Sequence, residues 1–323
     1  MFKRSLKKQN KIKRAILKFL NLYALDKVNF NFVNPNLENN SKNIHIFNEL
    51  SFNLAHGYTK LSRKINSLDI YYRFAPTVKL WNSTNTWKRI IPHIDKEMLI
   101  KVCSLSLKNS LIYFIKKNQI KVNLNFVYDR SNKEFNDILF ELMKNDFFQI
   151  NFFESKISGN HGSYLSCCDL SKNAKDLIFF IEDDYLFELN SIEESIISYS
   201  KISSLLGKDI FMCPSDYPFY YDKNYKTYLM FGKDHRWRYV GETLLTFIFS
   251  KNLLKEHEKN IRWVGERKND PFEKPLHDIF KVTPCFAPVG SLCHHLSRKI
   301  PDLNDGWLEL WNYTYNEVIN GGP

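Results

Sequence analysis

No two of the six cysteines (Cys103, Cys167, Cys168, Cys213, Cys285 and Cys293) stand in CxxC spacing. That leaves little ground for a zinc site or a redox pair, and they read as reduced thiols. No stretch approaches the ~20 apolar residues of a transmembrane helix, and no apolar segment ahead of a small-residue cleavage site marks a secretory signal. A cytoplasmic location is expected. Glycine and proline number only 11 each. There is no internal repeat, and no glycine-rich phosphate loop follows the first predicted strand. Lysine, asparagine, isoleucine and phenylalanine recur instead, a bias that reads as coding composition and warns against treating every Lys/Asn cluster as a binding patch. With 44% hydrophobic and 15% aromatic residues, 323 residues can bury a sizeable core, as one large α/β domain or two small ones.

Acidic residues are also in the minority, 35 against 46 Lys and Arg, for a net charge of +11. The first eighteen residues carry eight of those cations and no acid, so subtracting them from +11 leaves +3 for the rest. Ile12, Ile16, Leu17, Phe19 and Leu20 fall opposite the lysines on a helix. Residues 1–20 therefore suit a basic amphipathic helix resting on an anionic membrane surface, with a solvated arm as the competing reading. The protein is then expected at the inner face of the membrane.

Residues 1–75 read as a basic arm followed by irregular or helical material. Strand–helix alternation is predicted from about Pro76: a strand over 76–81, a helix over 95–117, a strand over 122–128 ending at Asp129, and a helix opened by Ser131. A strand over 147–153 follows, then a loop carrying Gly159-Asn160-His161-Gly162 and a short helix. The apolar run Leu177–Ile181 reads as a strand buried on both faces. Ser191 and Glu194 form a capping-box pattern for a helix stopped by Gly207, and another strand is predicted over 210–213. This order predicts an α/β fold with a mostly parallel sheet. Residues 76–213 are expected to form the nucleotide-binding half. Residues 214–323, aromatic and turn-rich up to 245, are expected to form the acceptor-binding and closing half. Residues 243–254 are apolar and helix-length, and 260–300 are loop-rich.

Glu182-Asp183-Asp184 ends the strand at 177–181. Three acids at one strand end repel one another unless a cation shares the space, and ligands of open α/β sheets bind at the carboxyl ends of strands. Hard oxygens suit Mg²⁺ or Mn²⁺ carrying substrate phosphates. A solvated acidic turn capping the next helix is the alternative.

"LIFFIEDDYLFE" resembles the EDD form of the DXD motif of GT-A-fold nucleotide-sugar glycosyltransferases, as in N-acetylglucosaminyltransferase I-like and family 2-like enzymes. "GNHGSYLSCCDLSKNAKD" is similar to the helix segment that precedes that motif, and "FAPVGSLCHHL" resembles the element that closes many of these sites. The likeness spans about residues 76–300. It implies a GT-A-like fold and a metal-dependent, inverting glycosyltransferase of the hexosyl- or N-acetylhexosaminyltransferase class. The implied donor is a nucleoside-diphosphate sugar and the implied acceptor a glycan, polysaccharide or lipid-linked glycoconjugate. Carried over by residue, Asp184 would bind Mn²⁺ or Mg²⁺ with His295 completing the metal or diphosphate site, while His294 is one residue out of register. Glu182 would lie nearer the ribose or be held through water, with Asp183 between the two outer acids on the substrate side, and Asp129 would face the base or ribose, unless it is a plain turn residue. Asn160, and Arg89 near Asn82 and Asn85, would belong to the nucleotide pocket. An inverting reaction needs a carboxylate base. Asp278 is the first choice and Glu242 the second, with Glu266 and Asp270 also open. Trp237 would stack on the acceptor sugar, against a competing reading as a core aromatic. The first strand lacks the family's usual N-R turn.

Two other classes fit less well. A sugar-nucleotide nucleotidyltransferase would share the sheet and a metal-binding acid, but the phosphate loop it calls for is missing. A nucleic-acid-binding protein or metal nuclease would suit the charge, but that charge is concentrated in the arm and no nucleic-acid motif is recognisable. Nucleic acid is not expected as a partner.

Overall fold

The computed structural model describes residues 44–47, 50–53, 61–78, 91, 94–222, 227–297 and 306–321. Strands β1 (Ile44–Phe47) and β2 (Leu50–Asn53) pair with one another only. The main body runs β3 (Ser67–Phe74), α1 (Lys96–Lys117), β4 (Lys121–Tyr128), α2 (Lys133–Met143), β5 (Gln149–Glu154), α3 (Asn160–Leu170) and β6 (Leu177–Glu182). It continues through β7 (Tyr185–Phe187), α4 (Ser191–Leu206), β8 (Phe211–Met212), β9 (Leu229–Phe231), β10 (Arg236–Val240) and β11 (Phe247–Ser250). Then come α5 (Lys251–Glu256), α6 (Glu258–Glu266), α7 (Lys274–Phe280), β12 (Cys285–Pro288), β13 (Cys293–His295) and α8 (Trp307–Ile319).

Nine strands form one sheet in the order β5-β4-β3-β6-β11-β8-β12-β10-β9. The first four are parallel, β11 is antiparallel to both neighbours, and β12 is parallel to β8. This is the α/β architecture expected from the sequence, with a parallel half and an antiparallel strand at its centre. The chain steps outward from β3 to β4 to β5, then returns to lay β6 on the other side of β3. A crevice at such a reversal is where open α/β sheets place their ligands. A small second sheet pairs β7 with β13, setting His295 opposite Tyr185.

The core explains why β6 reads so clearly. Its residues Leu177 to Ile181 are fully buried, and Phe180 meets Tyr71, Tyr164, Phe247 and Phe249 edge to face. Burying each such ring stabilises the fold by roughly 2–3 kcal/mol. Helix α1 starts where Asp95 caps it, its carboxylate accepting from the Met98 amide at 2.7 Å. Contrary to the sequence reading, this helix is long and apolar enough to cross a membrane by length and composition, yet most of it is buried against the rest of the protein. One side joins the sheet core, and Leu99, Val102 and Cys103 pack with Leu186, Leu296 and Trp311.

Several expectations are corrected. The first strand of the sheet is Ser67–Phe74, ahead of the expected start at Pro76, and Pro76 and Thr77 form a turn. It went unread because Asp69 and Arg73 interrupt its apolar run, although both are buried. The apolar stretch at 243–254 holds strand β11 before a short helix, and 260–300 contains two helices and two strands. The capping box at Ser191 does not form. Asn190 holds the N-cap position with no side-chain cap bond, and the Glu194 carboxylate is taken by tertiary partners. Gly207 does stop α4, at φ +66. The arm at residues 1–20 and Asn82, Asn85 and Arg89 lie outside the described residues.

Candidate functional site

At the carboxyl ends of β3 and β6, where the strand order reverses, a cleft of about 280 Å³ opens. All three acids of the triplet line it, together with Asp129, Asn160, Arg73 and Lys96. Five sequence-predicted positions thus converge with two cations that the sequence reading missed.

Those cations account for two of the acids. Arg73 is only 4% exposed and points from the end of β3. It donates to Glu182 Oε1 at 2.7 Å and to Asn160 Oδ1 at 2.7 Å, and its guanidinium lies 5.6 Å from the Tyr164 ring centre. Lys96, in the first turn of α1, is 3% exposed and donates to Asp183 Oδ1 at 2.6 Å. The other Asp183 oxygen accepts from the Ala75 amide at 3.0 Å, which ties the segment after β3 to the triplet. Buried cations need such partners, since an unpaired charge away from water is costly. Burial pushes the Glu182 carboxyl above its usual range; Arg73 pulls it down, while Asp184 and Asp183 push the same way as burial. Behind the triplet, burial holds the Cys103 thiol and the Tyr72 phenol well up, so both stay protonated at neutral pH.

Asp129 ends β4 and is 3% exposed. Its Oδ2 accepts from the Gly159 amide at 2.9 Å and from Arg130, fastening the start of α3 to the strand. The expected Gly-Asn loop is therefore the first turn of a helix. Two glycines there are obligatory: Gly159 has φ +95, and a Cβ on Gly162 would meet the Ile157 carbonyl oxygen at 1.9 Å.

The remaining pair comes from across the chain. The Leu296 amide donates to the Asp184 carbonyl at 2.8 Å, continuing the β7–β13 pairing and bringing His295 Nε2 to 3.6 Å from Asp184 Oδ2. His295 stacks on Tyr185, with ring centres 4.9 Å apart. Among the described residues, no group of three or more His, Cys, Asp or Glu side chains could hold a metal ion. Two protein ligands are nonetheless enough for Mg²⁺ or Mn²⁺ when substrate phosphates and water complete the shell. Adjacent ligands on an ion at about 2.1 Å stand roughly 3 Å apart, close to the 3.6 Å seen between Asp184 and His295. These two residues fit the group. His294 instead meets Glu188 Oε1 at 2.9 Å, a packing role.

Three predicted residues lie elsewhere. Trp237, in β10, is fully buried and donates from Nε1 to Glu194 Oε1 at 3.1 Å, so it is a core residue and offers no face to a sugar. Asp278 sits on α7 with 46% of its side chain exposed and pairs with Lys281 at 2.5 Å. That contact holds its carboxyl below the usual range. A solvated, strongly acidic carboxylate makes a poor base. Glu242, half-buried between β10 and β11, does not line the cleft either.

No protein-family model matches the chain, and no curated protein matches it. Solved structures do. The bifunctional glycosyltransferase WbbM is 9% identical, with a TM-score of 0.35, over 62% of this chain and 34% of that one. The chain thus spans about a third of WbbM. UDP-glucose pyrophosphorylase complexed with UDP-glucose is 8% identical, with a TM-score of 0.44, over 80% of this chain and 100% of that one. TarS of S. aureus is 10% identical, with a TM-score of 0.44, over 79% of this chain and 40% of that one.

Proposed function

We propose that this chain is a glycosyltransferase that uses a nucleoside-diphosphate sugar with Mn²⁺ or Mg²⁺. The observation that carries the reading is the single cleft at the strand-order reversal, lined by Glu182, Asp183, Asp184, Asp129 and Asn160, with His295 held beside Asp184. Asp184 and His295 would hold the ion, which supplies Lewis-acid neutralisation of the leaving diphosphate. Lys96 and Arg73 orient Asp183 and Glu182 through their ion pairs, so part of the repulsion within the triplet is offset before any ligand arrives. Asp129 and Asn160, which line the same cleft, would accept and donate hydrogen bonds to a nucleoside. Inversion and a glycan, polysaccharide or lipid-linked acceptor rest on the family resemblance of the motifs, and a place at the inner face of the membrane rests on the basic residues 1–20.

A nucleotidyltransferase would be expected to use free backbone amides after β3 to cradle a triphosphate. Here the Ala75 amide is already bonded to Asp183, which favours the transferase reading. The test is a panel of UDP-, GDP- and CMP-sugars assayed for a rise in melting temperature with and without Mn²⁺. One nucleotide class should stabilise the protein only with the metal, and Asp184→Ala should abolish the rise. Release of pyrophosphate from a sugar 1-phosphate and a nucleoside triphosphate would overturn the proposal.

A further inference from the structure

A second cleft, of about 510 Å³, opens at the opposite edge of the sheet. It lies where β3, β6 and β8 begin and β11 ends, so the six residues of β6 separate it from the acidic triplet, roughly 20 Å at the rise of a strand. Two carboxylates line it, Asp176 and Asp209, and both are engaged by one guanidinium. Arg63 donates to Asp176 Oδ1 at 2.5 Å and to Asp209 Oδ1 at 2.7 Å. The second oxygen of Asp176 accepts from the Asn66 amide, and that of Asp209 from the Ser250 hydroxyl, both at 2.7 Å.

The lysines of this cleft have no such partners. Lys175, Lys208 and Lys255 are exposed around it, and among the described residues none has a carboxylate within ion-pairing distance. Lys251 stands half-buried, its ammonium donating to the carbonyls of Ser171 and Lys172. Burial lowers its pKa and the charges of Lys255 and Lys172 act the same way, while Asp69 and Glu258 oppose them. Five cations against two carboxylates leave an excess of three positive charges around a concave, polar space. Ammonium groups on flexible stems suit a ligand with several negative charges and no fixed planar shape, as a phosphate-bearing group presents.

We propose that this cleft binds a phosphate-bearing anion through Lys175, Lys208, Lys251 and Lys255, at a site separate from the triplet. Its source is either a soluble phosphate compound or the headgroup of an anionic phospholipid.

Titration calorimetry of the full chain with sodium tripolyphosphate in metal-free, low-salt buffer tests the binding. The triple variant Lys175→Glu/Lys208→Glu/Lys255→Glu should lose at least about tenfold in affinity, since each lysine acts as a nearby point charge. The milder Lys175→Gln/Lys208→Gln/Lys255→Gln variant guards against a folding defect and should fall in between, while Asp184→Asn should bind as the wild type does. No binding by the wild type, or equal binding by both lysine variants, overturns the proposal. Cosedimentation with phosphatidylcholine vesicles, with and without phosphatidylglycerol, distinguishes the sources. A phosphatidylglycerol-dependent signal that the triple variant loses assigns the lipid headgroup, and an unchanged signal assigns the soluble compound.

Discussion

The two edges of the sheet both gather carboxylates beside cations, half-buried at one edge and buried at the other, yet they do different things with them. At the amino edge, Arg63 bridges Asp176 and Asp209, and the outer oxygens of both acids are bonded as well. The result is a latch that ties the entry of β3 to the starts of β6 and β8. At the carboxyl edge, Arg73 and Lys96 each take one acid of the triplet, and the third, which lines the cleft, stands 3.6 Å from a histidine. Acids at a strand end are therefore no sign of a site by themselves. Both edges have a cleft beside their acids; what distinguishes the carboxyl edge is its place at the carboxyl ends of the strands, where the strand order reverses and open α/β sheets bind their ligands.

If this contrast holds, substitutions at the two edges should fail in different ways. The largest effect is expected at Asp184. Asp184→Asn should lower Mn²⁺-dependent turnover of the nucleotide sugar by at least about 100-fold, with a melting temperature near that of the wild type. A large drop in stability with little lost activity would place this acid with the latch instead.

Next comes Glu194, away from both edges. Burial pushes its carboxyl up, but bonds from His235, Ser198, Trp237 and the Asp234 amide outweigh that and bring it down to about 2. A carboxylate lowered from 4.5 stabilises the fold fully above about pH 4.5 and loses that contribution as pH falls toward 2. The expected share is about 3 kcal/mol. His235 has its pKa raised by the same contact and stays protonated throughout that window. Urea unfolding across pH 2–7 should show the loss, and Glu194→Gln should be weaker at neutral pH with a flatter acid limb.

At the amino edge, Arg63→Met strands two carboxylates. It should cost about 2–3 kcal/mol in urea unfolding, discounted for partial exposure, while leaving the Michaelis constant for the donor unchanged. The smallest effect is expected at Asp278. Asp278→Asn should leave the turnover rate within about twofold, because its carboxylate faces solvent and Lys281. A 100-fold loss there would restore it as the base.

Local patterns made much of this legible. Helix α1 announces itself through Asp95 and its apolar spacing, and β6 through an unbroken run of buried residues followed by acids. The partners of those acids were hidden for a physical reason. Lys96 follows a cap residue and reads as a solvated first-turn charge, and nothing local reveals that it is 3% exposed. Arg73 interrupts an aromatic strand, and that interruption is itself a cue, since a charge inside a buried strand needs a partner. The misreadings of Trp237 and the Ser191 capping box share one cause. The Glu194 carboxylate that would have closed the cap is spent on Trp237, His235 and Ser198 instead.

The pairing of β7 with β13 carries a consequence for how the protein is made. Asp184 and His295 meet only because two three-residue strands zip together across a long span of chain. During synthesis the acidic half of the pair leaves the ribosome well before its histidine exists, and domains assemble as the chain emerges. A nascent chain stalled before residue 293 would carry a finished parallel sheet and an incapable front, so premature truncation products should be inert even where they fold.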